Sequence, residues 1–577
     1  MNFRQAIIDG LVPLTQLSAE TIGDLLEIPP QSNLGDYAFP CFTLAKTLRK
    51  APAAIASDLS ARLGESLTFL NRIETVGGYL NFFIDRPMLV SQTVLDTLAQ
   101  GDRLGASEMG KGQTILVEFS SPNIAKPFHV GHAFTTILGN ALARFYEHLG
   151  YRTVRLNHLG DYGTQFGKLI VAYRLWGDEA ALLAHPIQEL LRIYVRFHDE
   201  AKEHPELETE ARDQFRRLEA GEEGPVALWQ RFRDLSLLEF ARVYDRLGVQ
   251  FDSYLGESFY SDQIPAVVEI LRARNLLEDS EGAQVVRLDE EKLPPCIVLK
   301  SDGTTIYASR DIAAVLYREK TYQFSKNIYV VGTPQALHFR QVFAVLKKAG
   351  FAKADQCIHV GFGLVKFPDR KLSTRSGDVI LLEDLLSESV EKTFEIIKTN
   401  AVLRHPDMNE STMRDIAEKI GIGAVIFTFL KNGRERDIVF SWEEMLDFEG
   451  DSAPYVQYTY ARARSILRKA EDEGILWQNC PEADLRLLVS DDEFALAKLL
   501  ESYGSTLIKA TQVHEPFMLV RLLTTLARMF NKYYHNEPIL KTADPRLRQA
   551  RLALVAACSQ GIRSGLSLLG IAAVERM

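Results

Sequence analysis

The period of the apolar positions changes three times along the chain, and each change marks a different kind of structure. Up to about residue 85 the pattern is mixed. A helical spacing over residues 53–63 gives way to a strand-like end, Tyr79-Leu-Asn-Phe-Phe-Ile84, behind Gly77-Gly78. This predicts a small α+β module over 1–85, with a helical connection over 86–112. From Gln113 short apolar runs alternate with helical stretches, at 115–118, 133–149, 153–157 and 164–176. Strand-like runs return at 284–288, 296–299, 304–308, 328–331 and 358–360. Such alternation predicts a doubly wound, Rossmann-like parallel sheet over 113–380. A helix-rich stretch heavy in Glu and Arg, about 178–260, interrupts it as an insertion. Beyond residue 378 no strand is expected. Long amphipathic patterns at 390–400, 411–429, 455–473, 491–511, 517–534 and 543–569 predict a helical connecting domain over 381–452 and a helical bundle over 453–577. The fold class is therefore multidomain α/β.

Composition narrows this little. With 577 residues the chain exceeds what one core can organise. A net charge of −10 excludes a general polycation, but 455–577 holds 16 Lys/Arg against 13 Asp/Glu, a slightly basic balance that makes it a candidate footprint for nucleic acid. The five cysteines (41, 296, 357, 480, 558) are scattered without a C-x-x-C pair, so neither zinc nor a disulfide framework is expected and a reducing cytoplasm fits. No apolar run approaches a membrane span, and the first residues lack a signal-peptide pattern.

The densest chemistry lies in Glu118-Phe-Ser-Ser-Pro-Asn123-Ile-Ala-Lys126-Pro-Phe-His129-Val-Gly131-His132. It joins a strand to a helix. A His-x-Gly-His at such a turn suits a nucleotide: Gly131 admits an adenine ring to the backbone, two imidazoles reach phosphates, and the helix N-terminus adds positive potential. Two histidines in an ordinary loop would match the same four positions. The whole run, however, resembles the signature of the arginyl-tRNA synthetases, a class I synthetase family. The segment 453–464 and the chain's last ten residues resemble that family's anticodon-binding domain, so the resemblance covers nearly the full length.

The resemblance implies activation of arginine by ATP, accompanied by Mg²⁺, followed by transfer to the 3′-terminal adenosine of tRNA(Arg). Positioning and charge stabilisation at phosphate carry most of this chemistry. His129, Gly131 and His132 are expected at ATP, with Lys126 among the catalytic residues. The loop Phe367-Pro-Asp-Arg-Lys371-Leu-Ser373-Thr374-Arg375-Ser-Gly377 resembles the family's mobile Lys-Met-Ser-Lys-Ser loop and adds Lys371 and Ser373. Its second lysine is replaced here by Thr374. Lys126 is expected to supply that charge, with Arg375 as the rival donor. Arginine is a planar, permanent cation that carboxylates grip bidentately. The resemblance puts Tyr307 and Asp311 on its guanidinium, Glu118 and Asn123 on its backbone groups, and Gln335 beside them. A pocket of this kind rejects lysine without editing. A second glycine-rich turn, from Asn157 to Gly167, contributes Asp161 and Gln165 to the floor of the site. No protein ligand set for a metal is visible.

For tRNA, the candidates are Tyr455, Tyr458, Tyr460 and Tyr533 as stacking rings, with Arg462 and Arg464 on phosphates. Aromatic core residues with solvated arginines would give the same pattern. The resemblance further implies a monomer, arginine activation that requires bound tRNA, and an N-terminal module that touches the outer corner of the tRNA. Two rivals share parts of the pattern: another adenylate-forming nucleotidyl transferase, and a non-catalytic RNA-binding relative.

Overall fold

The computed structural model describes residues 3–29, 31, 34–64, 66–301, 306–367, 380–404 and 408–577. At the N-terminus three strands, β1 (Tyr37–Pro40), β2 (Leu70–Val76) and β3 (Tyr79–Ile84), pair antiparallel in the order β1-β3-β2. The two glycines at 77 and 78 both take positive φ, which closes the β2–β3 turn. The helices Phe3–Thr15 and Pro52–Leu63 bury Ile7, Leu11, Leu59 and Leu63 in the core of this module.

The next strands are β4 (Thr114–Glu118) and β5 (Arg152–Leu156), then β6 (Leu277–Ser280), β7 (Ala283–Val286) and β8 (Cys296–Leu299), and then β9 (Lys326–Val330) and β10 (Cys357–Val360). Four of them form one parallel sheet in the order β10-β9-β4-β5. Their apolar faces, such as Ile115, Val117, Ile328 and Val330, are fully or almost fully buried, as expected of strands covered on both sides. Chain order departs in opposite directions from the β4–β9 neighbours, so a crevice opens beyond their carboxyl ends.

Two expectations are corrected here. β6, β7 and β8 do not extend the parallel sheet; they form a separate antiparallel one in the order β6-β7-β8. The run read as a strand at 304–308 is the entry to a helix, Tyr307–Tyr322. Ile306 is extended, and its N–H donates to the Ser309 hydroxyl, which caps the helix start. Residues 304 and 305 lie outside the described residues. A third difference is small: β11 (Val365–Lys366) pairs with β12 (Ile438–Val439), so the C-terminal half is not free of strand.

Between β5 and β6 lie the inserted helices, Glu179–Ala184, Pro186–Glu203, Glu206–Glu219 and Glu223–Leu247. They pack on the Gln165–Trp176 helix around Phe166, Ile170, Phe197 and Phe232. The C-terminal helices dock on the Gly131–His148 helix, where the Tyr146 hydroxyl meets His514 Nε2 at 2.9 Å in a buried contact.

Candidate functional site

The signature loop leaves β4 with strain. Ser120, Ser121 and Ala125 all take left-handed backbone conformations, at φ 69°, 47° and 58°. Non-glycine residues stay there only when neighbours over-determine them. The neighbours are present. The Ser120 N–H donates to Thr135 Oγ1 at 3.0 Å, and Thr135 in turn donates to the Val330 carbonyl at the end of β9. The Ser120 hydroxyl lies 2.8 Å from the Tyr244 hydroxyl, and the Ala125 N–H donates to Ser236 Oγ at 2.9 Å. Phe128 packs against Phe240 and Tyr244. Ser236, Phe240 and Tyr244 stand at i, i+4 and i+8 of the inserted Glu223–Leu247 helix, so one face of that helix backs the loop. The sequence reading missed all three; their spacing was visible, but not what it faced.

The loop ends in two interlocked histidines. The His129 N–H donates to His132 Nδ1 at 3.2 Å, and the Gly131 N–H donates to His129 Nδ1 at 3.0 Å. Their ring centroids are 4.1 Å apart. Burial pushes the His132 ring down to about 3, with His129 adding to the effect, and burial also lowers His129. Both rings are therefore neutral at pH 7. With each Nδ1 accepting, the proton sits on each Nε2, which leaves two Nε2–H donors. Gly131 opens the helix and is exposed; a Cβ there would stand 2.6 Å from His129 Cε1. The glycine thus makes room for the His129 ring as well as for a ligand. Lys126 is half-buried, with no acidic partner among the described residues.

A cavity of about 660 Å³ lies beyond the β4 and β9 ends. It brings together Glu118, Asn123, Gly131, His132, Tyr307, Asp311 and Gln335, all predicted from sequence. Asn123 is exposed, and its Oδ1 would be 2.3 Å from a Cβ at Gly160, so that glycine keeps the amide in place. Tyr307 is largely exposed at the mouth. Asp311 is already engaged: its Oδ2 is 2.5 Å from His338 Nε2. Glu118 is the member whose surroundings differ from expectation. It is buried and ion-paired with Arg318, itself 1 % exposed, so only part of its carboxylate is available to a ligand. The pairing arises because the end of a central strand meets the neighbouring helix there. Asp161 is likewise turned from the floor of the cavity; its carboxylate accepts from the N–H and hydroxyl of Ser258. Gln165 opens the Gln165–Trp176 helix, and its Nε2 donates to the Tyr162 carbonyl.

His338 and Glu257 were missed as wall residues. Burial pushes the Glu257 carboxyl up to about 7, with Arg310 opposing and Asp311 and Asp161 adding. Arg310 Nε is 3.2 Å from Glu257 Oε2. Nothing local in Gly256-Glu-Ser258 announces this role. Lys371, Ser373, Thr374 and Arg375 lie outside the described residues. Among those described, no group of three or more His, Cys, Asp or Glu side chains could hold a metal ion, and no helix is long and apolar enough to cross a membrane.

A second, larger cleft of about 1250 Å³ lies in the helical C-terminal part, lined by Tyr458, Arg462, Tyr534, Lys541 and Arg576 among others. The Arg462 guanidinium sits over the Tyr458 and Tyr534 rings, 4.8 and 5.3 Å from their centroids. Tyr455 is half-buried and its hydroxyl accepts from Asn531. Two predicted contacts are corrected. Tyr460 is 2 % exposed, because on the Ala453–Asp472 helix it shares the inward face with Val456, Ala463 and Leu467. Tyr533 is fully buried, its hydroxyl donating to Glu493 beside Arg551. Arg464 is partly buried and pairs with Glu575 at 3.5 Å.

Comparison with known proteins agrees along the whole chain. Residues 93–442 match a family model described as the catalytic domain of class I (R) tRNA synthetases. Residues 456–577 match the DALR anticodon binding domain, and residues 1–84 match the arginyl tRNA synthetase N-terminal domain. The arginine–tRNA ligases of Clostridium perfringens and Clostridium beijerinckii are each 52% identical to the chain, over all of both proteins. The solved arginyl-tRNA synthetase of Thermus thermophilus superposes with a TM-score of 0.83 at 27% identity, covering all of both chains. That of Plasmodium falciparum gives 0.80 at 23% identity over 99% of each chain, which bears on the fold alone.

Proposed function

The chain belongs to the arginyl-tRNA synthetase family, and from that premise we propose how its residues divide the work of joining arginine to tRNA. It is a class I aminoacyl-tRNA synthetase, an arginine–tRNA ligase with a parallel-sheet catalytic domain, an N-terminal domain and a helical anticodon-binding domain. In the first step the arginine carboxylate attacks the α-phosphate of ATP and pyrophosphate leaves. In the second a ribose hydroxyl of the terminal adenosine attacks the activated carbonyl and AMP leaves.

His129 and His132 serve phosphate as neutral donors through Nε2–H. Neutral donors stabilise a developing charge through their dipoles but carry no net charge to set against a triphosphate, and a cation nearby adds that. Lys126, unpaired with any acid among the described residues and three positions before His129, is the residue we assign to it. Lys371, Ser373 and Arg375 remain candidates on the second loop. Magnesium arrives with ATP as part of the substrate, its ligands being phosphate oxygens and water. Asp311 and Tyr307 take the guanidinium, Asn123, Gln335 and the free part of Glu118 the backbone groups. The Arg462–Tyr458–Tyr534 cluster reads unstacked bases of the tRNA. We propose a monomeric enzyme acting in the cytoplasm, where tRNA and ATP are found.

The single observation behind this division is that one cavity joins the His132 imidazole of the signature loop with the Glu118 and Asp311 carboxylates in its walls. The test is arginine-dependent ATP–pyrophosphate exchange, with and without tRNA, for the native enzyme, Lys126→Ala and Arg375→Ala. Exchange only with tRNA, abolished by Lys126→Ala and not by Arg375→Ala, is expected. Normal exchange in Lys126→Ala together with its loss in Arg375→Ala would reverse the assignment.

A further inference from the structure

The helix that carries Tyr307 and Asp311 is pinned to the sheet at a third position. Asp311 and Arg318 are seven residues apart, about 10 Å along the helix axis, and Tyr307, Asp311 and Arg318 fall on one stripe at i, i+4 and i+11. Arg318 reaches across to the last residue of β4, where its Nη2 donates to Glu118 Oε2. The guanidinium is enclosed: Arg318 is 1 % exposed, and its carbon lies 5.4 Å from the centroid of the Tyr329 ring on β9. Its Nε and Nη1 have no hydrogen-bond partner among the described residues. Glu118 is thus the acid that answers this charge, and it reaches the cavity while Arg318 stays behind the wall.

We propose that Arg318 is a positioning residue that sets the length of the arginine pocket. The pair joins the two walls between which the substrate is stretched: β4 with its following loop, carrying Glu118 and Asn123, and the helix presenting Asp311. A guanidinium fork locked on a carboxylate fixes direction as well as distance, which a lysine ammonium does not. The pin therefore measures the separation between the site for the amino-acid backbone and the site for the guanidinium. It discriminates by side-chain length, whereas Asp311 discriminates by charge. This rests on the division of roles proposed above.

The experiment measures kcat and KM in arginine-dependent pyrophosphate exchange with tRNA. Arginine is compared with its homologues one methylene shorter (2-amino-4-guanidinobutanoate) and one longer (homoarginine), for the native enzyme, Arg318→Lys, Glu118→Gln and Asp311→Asn. Arg318→Lys is expected to raise the arginine KM at least tenfold, with kcat within threefold, and to narrow the preference for arginine over the homologues at least tenfold. A purely structural role would lower the melting temperature and leave that preference unchanged. Should Arg318→Lys fail to fold, Glu118→Gln loosens the same pin from the other end. Its lost contact to the backbone ammonium weakens all three substrates alike, so a narrowed preference reports the pin alone. A folded variant of either kind with native preference overturns the inference. Asp311→Asn separates the two levels: native behaviour there overturns the site reading itself, whereas its failure beside an unchanged preference in Arg318→Lys overturns only the pin.

Discussion

Replacing Gly131 by alanine tests whether the glycine serves the histidine beside it. The added Cβ would lie 2.6 Å from His129 Cε1 and 2.8 Å from His129 Nδ1, whereas ordinary contact begins near 3.4 Å. The ring must retreat by the difference, about 0.8 Å, and cannot do so without stretching the Gly131 N–H···Nδ1 bond that orients it. A misplacement near 1 Å at a reacting centre costs on the order of 10²-fold in rate, or ~2.7 kcal/mol of barrier. Stability should move the other way, since alanine at a helical position with ordinary φ is favoured over glycine by up to ~1 kcal/mol. The expected result is kcat for pyrophosphate exchange down about 100-fold, arginine KM within threefold, and melting temperature equal or higher. Gly433→Ala is the control, because a Cβ at Gly433 meets nothing within 4 Å. A folded Gly131→Ala enzyme with kcat within threefold of native would refute the reasoning.

The Glu257 carboxyl, pushed by burial to about 7, keeps a proton that a solvated carboxyl would have lost near 4.5. A carboxyl raised on folding favours the native state at low pH and withdraws that support as pH climbs from about 4.5 to about 7. Arginine, a cation, favours its ionised form, so binding with tRNA present should release protons at pH 6.5 and not at pH 8.5. Calorimetry in buffers of different ionisation heat reads this directly, and equal release from Glu257→Gln would contradict it. In the C-terminal cleft, Arg462→Ala should raise the KM for tRNA and flatten its salt dependence by about one unit of slope, leaving the arginine KM alone. Tyr460→Phe and Tyr533→Phe should not change tRNA binding; filter-binding titrations across salt compare all three, and a larger effect from Tyr460→Phe would put the interface on the wrong face.

Which parts of the molecule were legible depended on how local their causes are. The strand, loop and helix from Ile115 to His148 could be read because an apolar run, a glycine and two histidines stand within one short segment. Pairing partners could not. Arg318 is 200 residues from Glu118, and no feature of either segment names the other. Faces of helices were legible only as sets: the Ala453–Asp472 stripe divides Tyr455, Tyr458 and Arg462 from Val456, Tyr460 and Ala463, but periodicity alone does not say which set meets solvent. The strand expected at 304–308 failed for a different reason. A β-like alternation also describes the extended residue before a helix cap, and the Ser309 hydroxyl decides between them.

The Glu223–Leu247 helix imposes an order on the making of this enzyme. The loop it backs is synthesised first, and the contacts that hold Ala125 and Ser120 in left-handed conformations come from residues 111 and 124 positions later in the chain. At ribosomal speeds of roughly 5–20 residues per second, that gap is about 6–25 s of translation. During it the nascent loop has strand β4 and Thr135 to hold Ser120 but no partner for the Ala125 N–H, and Phe128 has neither Phe240 nor Tyr244 to cover it. The two histidines interlock through local bonds, but the loop that carries them receives its backing as a late event of biogenesis. Any truncation that keeps the nucleotide-binding sheet but drops the inserted helices would inherit the signature residues without the geometry that gives them meaning.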